Sequence, residues 1–297
     1  MDTSKATTER VPEVSVVIPH YNDPERLGLC LCELMENDTG GVEIIVVDNG
    51  STVPIDAVRE RFPAVRFLIE TEKGAAPARN RGVSAARGEI LAFIDADCVP
   101  ARDWLAAVRR VASRADLVGG RVSVFDETPP PRTGAQAFEA VFAFDFRTYI
   151  EKKGFSGAGN LVTTRAVFED VGPFVNGLSE DTEWTKRAVA KGYRLVYDDG
   201  LRVGHPSRSD WPALRAKWRR LTEEAHALER AEGRPRRRWL AKALMMPASI
   251  LAHLPRVLSH RDLRSPGERW RAALTLARLR LLRMRWMLRQ AFGMPSD

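Results

Sequence analysis

Through the first two thirds of the chain, apolar residues come in short unbroken runs, each closed by a polar or glycine-bearing cluster. Val14-Ser-Val-Val-Ile ends at Pro19, Glu43-Ile-Ile-Val-Val ends at Asp48, Val65-Arg-Phe-Leu-Ile precedes Glu72-Lys73-Gly74, and Glu89-Ile-Leu-Ala-Phe-Ile runs into Asp95-Ala96-Asp97. Runs this short and this rich in β-branched residues predict buried strands rather than helices. Between them, Asp23 offers an N-cap ahead of Pro24 for a helix through about Glu36, and a second helix is expected from about Pro77 to Ala86, stopped by Gly88. Strands of this kind alternating with helices predict an α/β fold around a mainly parallel sheet covered on both faces. Ligands bind such sheets beyond the carboxyl ends of the strands, which is where every one of these polar clusters falls.

Farther along, a helix is expected near Arg102–Arg114, a strand from Leu117, and an exposed loop over 126–134, where three consecutive prolines suit neither a helix nor a sheet interior. Gly154-Phe-Ser-Gly-Ala-Gly-Asn160 leads into an expected strand at Leu161. A helix from Ser179 to Lys191 opens on Glu180 and Asp181, a strand starts at Tyr193, and His205-Pro206 closes the compact part. The expected divisions are a flexible N-terminus over 1–12, a catalytic domain over 13–208 and a helical extension over 209–297. In that extension Leu214, Trp218, Leu221, Ala225 and Leu228 step by four and three, as one face of a helix does. Glu232-Gly-Arg-Pro-Arg-Arg-Arg238 is expected to be a basic linker. A last helix is expected to put Trp270, Leu274, Ala277, Leu281, Met284, Leu288 and Phe292 on one face, with Arg271, Arg278, Arg285 and Arg289 on its flank.

Charge sharpens this division. The net +7 conceals a tail from Arg230 to Asp297 with sixteen Lys and Arg against four Asp and Glu, so the rest of the chain is acidic. The N-terminus has no apolar core of the signal-peptide kind. The apolar stretch Ala243–Pro255 is broken by Pro247 and His253 and falls short of the roughly 20 residues a spanning helix needs, so none is expected. Cys30, Cys32 and Cys98 have no metal-ligand spacing and read as reduced thiols, which suits a cytoplasmic chain.

The most informative feature of the chain is Asp95-Ala96-Asp97. Two carboxylates one residue apart at a strand end form a hard, oxygen-only corner able to hold a divalent cation, with a diphosphate completing the shell. Alone, the pattern also fits a turn or a helix N-cap. In order and spacing, Val-Ile-Pro-His-Tyr-Asn, Ile-Val-Val-Asp-Asn-Gly-Ser, Lys-Gly-Ala-Ala-Pro-Ala-Arg-Asn-Arg-Gly, Phe-Ile-Asp-Ala-Asp and Ser-Glu-Asp-Thr-Glu-Trp follow one another. From Val14 to Pro206 the chain therefore resembles family-two inverting glycosyltransferases of the GT-A, Rossmann-like fold.

The resemblance implies a nucleoside-diphosphate sugar donor with uridine as the expected base, Mg2+ or Mn2+, a hydroxyl acceptor in a glycan or lipid-linked glycoconjugate, and inversion by direct displacement. It implies Asp97 as a metal ligand, Asp95 as a partner of ribose or of the metal through water, and Asp48 as an acceptor from the nucleobase. Tyr21 would stack on the base, and Pro19, Asn22 and Ala96 belong to the same nucleotide-facing motifs. Lys73, Arg79 and Asn80 are placed near the diphosphate, Asn160 in the sugar pocket and His205 near the metal. Asp181 is implied as the general base, with Glu180 orienting it or touching the acceptor; first-turn acids favoured by the helix dipole are the plainer reading of both. Trp184 suits the core better than an acceptor platform.

A nucleotidyltransferase would need a glycine-rich phosphate loop where this chain has Pro-His-Tyr-Asn-Asp-Pro. A non-catalytic nucleotide-sugar-binding scaffold is the alternative from another class, and it would not need Asp181. The tail's arginines beside a Trp/Leu/Met face fit a helix lying on an anionic membrane, here the cytoplasmic face, and equally fit a seam against protein such as a second copy. Nucleic acid is not an expected partner.

Overall fold

The computed structural model describes residues 11–177 and 179–294. In chain order the elements are β1 (Val14–His20), α1 (Pro24–Met35), β2 (Val42–Asp48), α2 (Asp56–Arg61), β3 (Arg66–Ile69), α3 (Ala75–Ala85), β4 (Ile90–Ile94), β5 (Val99–Pro100), α4 (Trp104–Ala112) and β6 (Leu117–Phe125). There follow α5 (Gly134–Phe142), α6 (Phe146–Lys153), β7 (Asn160–Thr164), α7 (Arg165–Val171), α8 (Glu180–Ala190), β8 (Leu195–Pro206), α9 (Trp211–Ala231), α10 (Arg236–Leu244), α11 (Met246–Ser259) and α12 (Pro266–Ala291). They form two compact units: Met1–Val122 with Phe146–Gly204, and Ser123–Asp145 with His205–Asp297.

The sheet has the order β3-β2-β1-β4-β7-β6-β8-β5. β3, β2, β1 and β4 are mutually parallel, with His20 level with Asp48 and Val17 level with Phe93. β7 enters antiparallel between β4 and β6 and sets Asn160 opposite Ile94. Alternate residues of β1 explain why its apolar run is unbroken. Val14, Val16 and Ile18 join Leu27, Leu31 and Trp104 in one core cluster, while Val17 joins Ile45, Phe93 and Trp184 in another. Both faces are dry, so neither can be polar.

β8 is longer than the sequence suggests. The expected strand is Tyr193-Arg-Leu-Val-Tyr197, whereas β8 starts at Leu195 and continues through Asp198-Asp199-Gly200 to Pro206. The buried Asp198 carboxylate receives Arg110 at 3.0 Å, Arg114, and the Gly200 and Leu201 N–H groups, which holds this backbone in place.

The second unit joins α5 to the C-terminal helices, whereas the sequence suggested an undivided body over 13–208. The reason lies in Glu139, which is 1% exposed and receives the Lys217 ammonium at 2.5 Å and the Arg208 N–H at 2.7 Å. A buried carboxylate needs such partners, and α9 with the turn before it supplies them. Phe138 meets Trp218 edge-on at 5.9 Å in the same layer. Two further expectations are revised. The basic stretch before Trp239 is only partly a linker, because α10 begins at Arg236. On α12 the packed face comprises Ala272, Leu276, Leu279, Trp286 and Met287, while Trp270, Leu274, Leu281 and Phe292 of the expected stripe are exposed. Apolar residues lie on both sides of α12, and periodicity alone does not say which side packs. Among the described residues no helix is long and apolar enough to cross a membrane.

Candidate active site

The site belongs to the first unit and is built at the carboxyl ends of β1, β2 and β4. At β1, His20 is 1% exposed and sits with Nδ1 3.0 Å from Asp48, while its Nε2 accepts the Asp23 N–H at 3.1 Å. These two bonds require the proton on Nδ1. The histidine therefore locks the β1 loop to the β2 end, a role the sequence reading did not assign to it, although its place between Pro19 and Tyr21 at a strand end is the available signal. Asp48 also accepts the Ser51 hydroxyl at 2.5 Å and its N–H at 3.2 Å, an Asx-type turn. Asn22, at φ 52, accepts from the Thr52 and Val53 N–H groups, so its amide oxygen is spent on joining the two loops.

The β3–α3 loop closes over this corner. Asn49 donates to the Glu70 and Glu72 carbonyls and accepts the Gly74 N–H at 2.8 Å. Lys73 donates to the Gly50 carbonyl at 2.9 Å and lies 4.6 Å from the centre of the exposed Tyr21 ring. An aromatic face and an ammonium are thus held side by side.

At β4 the acidic motif is half-buried. One carboxylate oxygen of Asp95 receives Arg79 Nη2 at 2.7 Å, and Arg79 Nη1 donates to Glu180 at 2.6 Å. Arg79 is only 4% exposed. Burial alone would push its guanidinium down, but the charges of Asp95, Glu180 and Asp181 outweigh that and hold it above its ordinary value. One buried cation therefore ties the strand-end carboxylate to the first turn of α8, where Glu180 lies 101 residues beyond Arg79.

The segment Gly157-Ala158-Gly159 lies along the same junction. A Cβ on Gly159 would come within 2.6 Å of Asp95 Oδ2, and one on Gly157 within 3.3 Å of Asp181 Oδ2. The backbone can approach both carboxylates because no side chain intervenes. The Ala158 N–H lies 3.4 Å from Asp181 Oδ2, and the Thr182 N–H lies 2.6 Å from its other oxygen. Burial, then the neighbouring Glu180 charge, raises the Asp181 carboxyl to about 6, against the opposing pull of Arg79. A carboxylate poised there takes a proton far more readily than an ordinary aspartate.

Beneath the acidic motif, Cys30 and Cys98 are buried free thiols. Burial pushes both up, and the Asp95 and Asp97 charges push them further. They are kept protonated and unreactive. Among the described residues no three His, Cys, Asp or Glu side chains form a complete metal cage. The donor set at Asp95 and Asp97 is two hard oxygens from one corner, which fits a cation that draws the rest of its shell from phosphate and water.

The sequence model of glycosyl transferase family 2 matches residues 15–172, which hold β1 through α7. Glycosyltransferase AglE of Haloferax volcanii is 33% identical over 96% of this chain and 95% of its own length. The chain belongs to glycosyl transferase family 2. Pre-mycofactocin glycosyltransferase of Mycobacterium tuberculosis is 29% identical over 69% of this chain and 45% of its own. A solved mannosyltransferase of Pyrobaculum calidifontis, in complex with GDP-Man and Mn2+, shares the GT-A fold at TM-score 0.56, with 19% identity over 97% of this chain and 77% of that one.

Within this glycosyltransferase, several expected contacts are already committed to the fold. Asn160 is fully buried: its oxygen accepts the Trp104 indole N–H at 3.0 Å, and its amide donates to the Arg121 and Leu201 carbonyls. Its expected place in the sugar pocket is therefore set aside in favour of a structural one. Asn80 exchanges two 2.9 Å bonds with the Phe174 backbone and clasps the segment before α8 rather than facing a phosphate. Pro19 is half-buried within β1 opposite Val47, and Ala96 is 8% exposed against the core, so each offers backbone rather than side-chain chemistry. Trp184 is fully buried, stacked on Phe168 with its N–H on the Gly172 carbonyl. His205 falls in the second unit, where its Nδ1 lies 2.7 Å from the Pro206 carbonyl, its Nε2 lies 3.5 Å from Arg208, and its ring meets Phe144 at 5.0 Å.

Proposed function

We propose that the chain moves a sugar from a nucleoside-diphosphate donor, of which a uridine diphosphate sugar is the expected example, to a hydroxyl acceptor with inversion at the anomeric carbon. The observation that carries this reading is the Arg79 bridge between Asp95 and Glu180, with Asp181 beside it on the Gly157–Gly159 backbone. It supports a reading in which the donor corner and a proton acceptor serve one sugar. Asp181 takes the acceptor proton, the acceptor oxygen bonds to the anomeric carbon, and the bond from that carbon to the phosphate oxygen breaks as the nucleoside diphosphate leaves. Arg79 and Glu180 orient Asp181, and Asp48, Tyr21 and Lys73 flank the nucleoside and phosphates. Asp97, with Asp95, would hold Mg2+ or Mn2+, whose charge offsets that of the departing diphosphate.

The donor test is a panel of uridine, guanosine and thymidine diphosphate sugars with and without Mn2+, read by thermal stabilisation and then by transfer. Asp181→Asn separates catalysis from mere binding: stabilisation by donor persists while transfer is lost. Transfer at the unaltered rate would support a nucleotide-sugar-binding scaffold or a base elsewhere.

For the acceptor side, the reading is a glycan or lipid-linked acceptor met at the cytoplasmic membrane face. Support comes from the second unit, where Leu251, Trp270, Leu274 and Leu281 are exposed and Arg278 and Arg285 of α12 are exposed beside them. Buried apolar area and anionic-lipid attraction act together on such a helix. Flotation with anionic vesicles at low salt tests this. Protein that stays at the bottom, or that elutes as a dimer covering this face, would remove it.

A further inference from the structure

We propose that the second unit carries a binding site for a phosphoryl or diphosphoryl group in the cavity between the α9–α10 turn and the C-terminal end of α12. This site is independent of the transfer chemistry. The cavity has a volume of about 500 Å³ and is built wholly from second-unit residues. Its wall carries three cations, Arg230, Arg234 and Arg236, together with Trp239 and Phe292.

The turn that places these arginines is fixed by backbone bonds. Gly233 takes φ 67 and donates to the Arg230 carbonyl at 3.0 Å, and the Arg234 N–H donates to the Glu229 carbonyl at 2.9 Å. That pair of bonds ends α9 in a glycine-dependent Schellman closure. Pro235 then starts the nine-residue α10 at once, with no side chain capping its positive end. An uncapped helix start and a cluster of arginines both favour an anion.

The independent observation is Trp239. It is 5% exposed and lines the cavity, yet its indole N–H is buried with no hydrogen-bond partner among the described residues. An indole nitrogen only donates, so what it lacks is an acceptor. Buried polar groups normally have their partners, and an orphan at a cavity wall points to a ligand atom. Glu229, the one carboxylate in the wall, is held through one oxygen by Lys242 and lies 3.7 Å from Arg238, while its other oxygen and the Gln290 side-chain oxygen are buried without a partner among the described residues, acceptors that a protonated phosphate oxygen can meet. Arg234 reaches Glu232 at 3.2 Å and Arg236 lies 4.8 Å over the Phe292 ring, which leaves the cationic wall short of counter-charge. Phosphate oxygens answer both needs, because they accept from arginine forks and from an N–H at once.

The test follows the indole N–H resonances of the full-length protein in the presence of EDTA, which prevents metal-dependent binding at the acidic corner. Trp239→Phe assigns the Trp239 signal. On titration with inorganic pyrophosphate that signal shifts downfield and saturates, and it does not move in Arg230→Ala/Arg234→Ala. In Trp239→Phe, calorimetric affinity for pyrophosphate falls about tenfold, the loss expected for one hydrogen bond to a charged group. Monomeric short-chain phosphatidic acid, with phosphatidylcholine as control, identifies the source. Saturation at lower concentration than pyrophosphate assigns the site to a lipid phosphate, and the reverse order assigns it to a soluble one. A Trp239 resonance unmoved by all these phosphoryl compounds, or a shift that persists in the double variant, overturns the proposal.

Discussion

Buried charge is handled differently in the two units. In the first, Arg79 lies between Asp95 and Glu180 at 2.7 and 2.6 Å, with Asp181 near enough to shift its proton affinity. In the second, Arg283 lies 4.6 Å over the Trp218 ring and donates to the Thr222 hydroxyl at 3.2 Å, and Arg278 lies 3.9 Å over Trp211. Burial, then the adjacent Arg280 charge, lowers the Arg283 guanidinium to about 10. In the first arrangement one guanidinium is hydrogen-bonded to two of the three carboxylates around it, which leaves the cluster net acidic. The second leaves positive charge on aromatic faces, half-buried at Arg283 and exposed at Arg278.

The largest expected effect comes from the acidic cluster. Asp181→Asn lowers kcat by roughly 10²–10⁴-fold, the range for removing a general base, with donor binding retained in calorimetry. Arg79→Met leaves Asp95 and Glu180 without their buried counter-charge and costs about 3–5 kcal/mol of stability in denaturant titration. If it costs no more than a surface change, the pairing is not what holds α8 to β4. Gly159→Ala tests the close approach: its methyl must displace Asp95, so activity falls while Gly28→Ala, with open space around it on a helical backbone, spares the Asp95 carboxylate.

Smaller effects separate the two faces of α12. Leu276→Ala, in the packed layer, costs roughly 2–5 kcal/mol. Leu274→Ser and Leu281→Ser stay within about 0.5 kcal/mol by thermal melting, yet reduce flotation with anionic vesicles. Equal stability losses on both faces would mean that the exposed stripe is covered by protein. The pH dependence of stability carries a sign as well. The Asp181 carboxyl is raised in the fold to about 6, so its protonated form is favoured there. That contribution is fully present below the ordinary carboxylate value of about 4 and fades as pH rises through about 6, a loss that Asp181→Asn removes.

Much of the fold was legible because the strands depend on local pattern: β1, β2 and β4 end at Pro19/His20, Asp48 and Ile94, beside the polar clusters that flagged them. Asp95, Asp97, Glu180 and Asp181 could be read as acidic motifs in isolation. What joins them could not, because Arg79 meets a residue 101 positions away. Asn160 and Asn80 resembled ligand residues for the same reason: Trp104 and Phe174, which use up their amides, are 56 and 94 positions distant. On α12 two apolar faces competed, and only the packing of Leu276 and Leu279 with Phe138 and Leu214 decides between them.

The most direct measurement is the pH dependence of single-turnover transfer in three proteins: unaltered, Glu180→Gln and Arg79→Met. The unaltered chain should lose activity as pH falls through about 6, the value of the Asp181 carboxyl. Removing the Glu180 charge should move that acid limb to lower pH, and removing the Arg79 charge should move it to higher pH. Limbs that coincide in all three proteins, or that move the same way in both variants, would contradict a proton acceptor electrostatically bound to the donor corner.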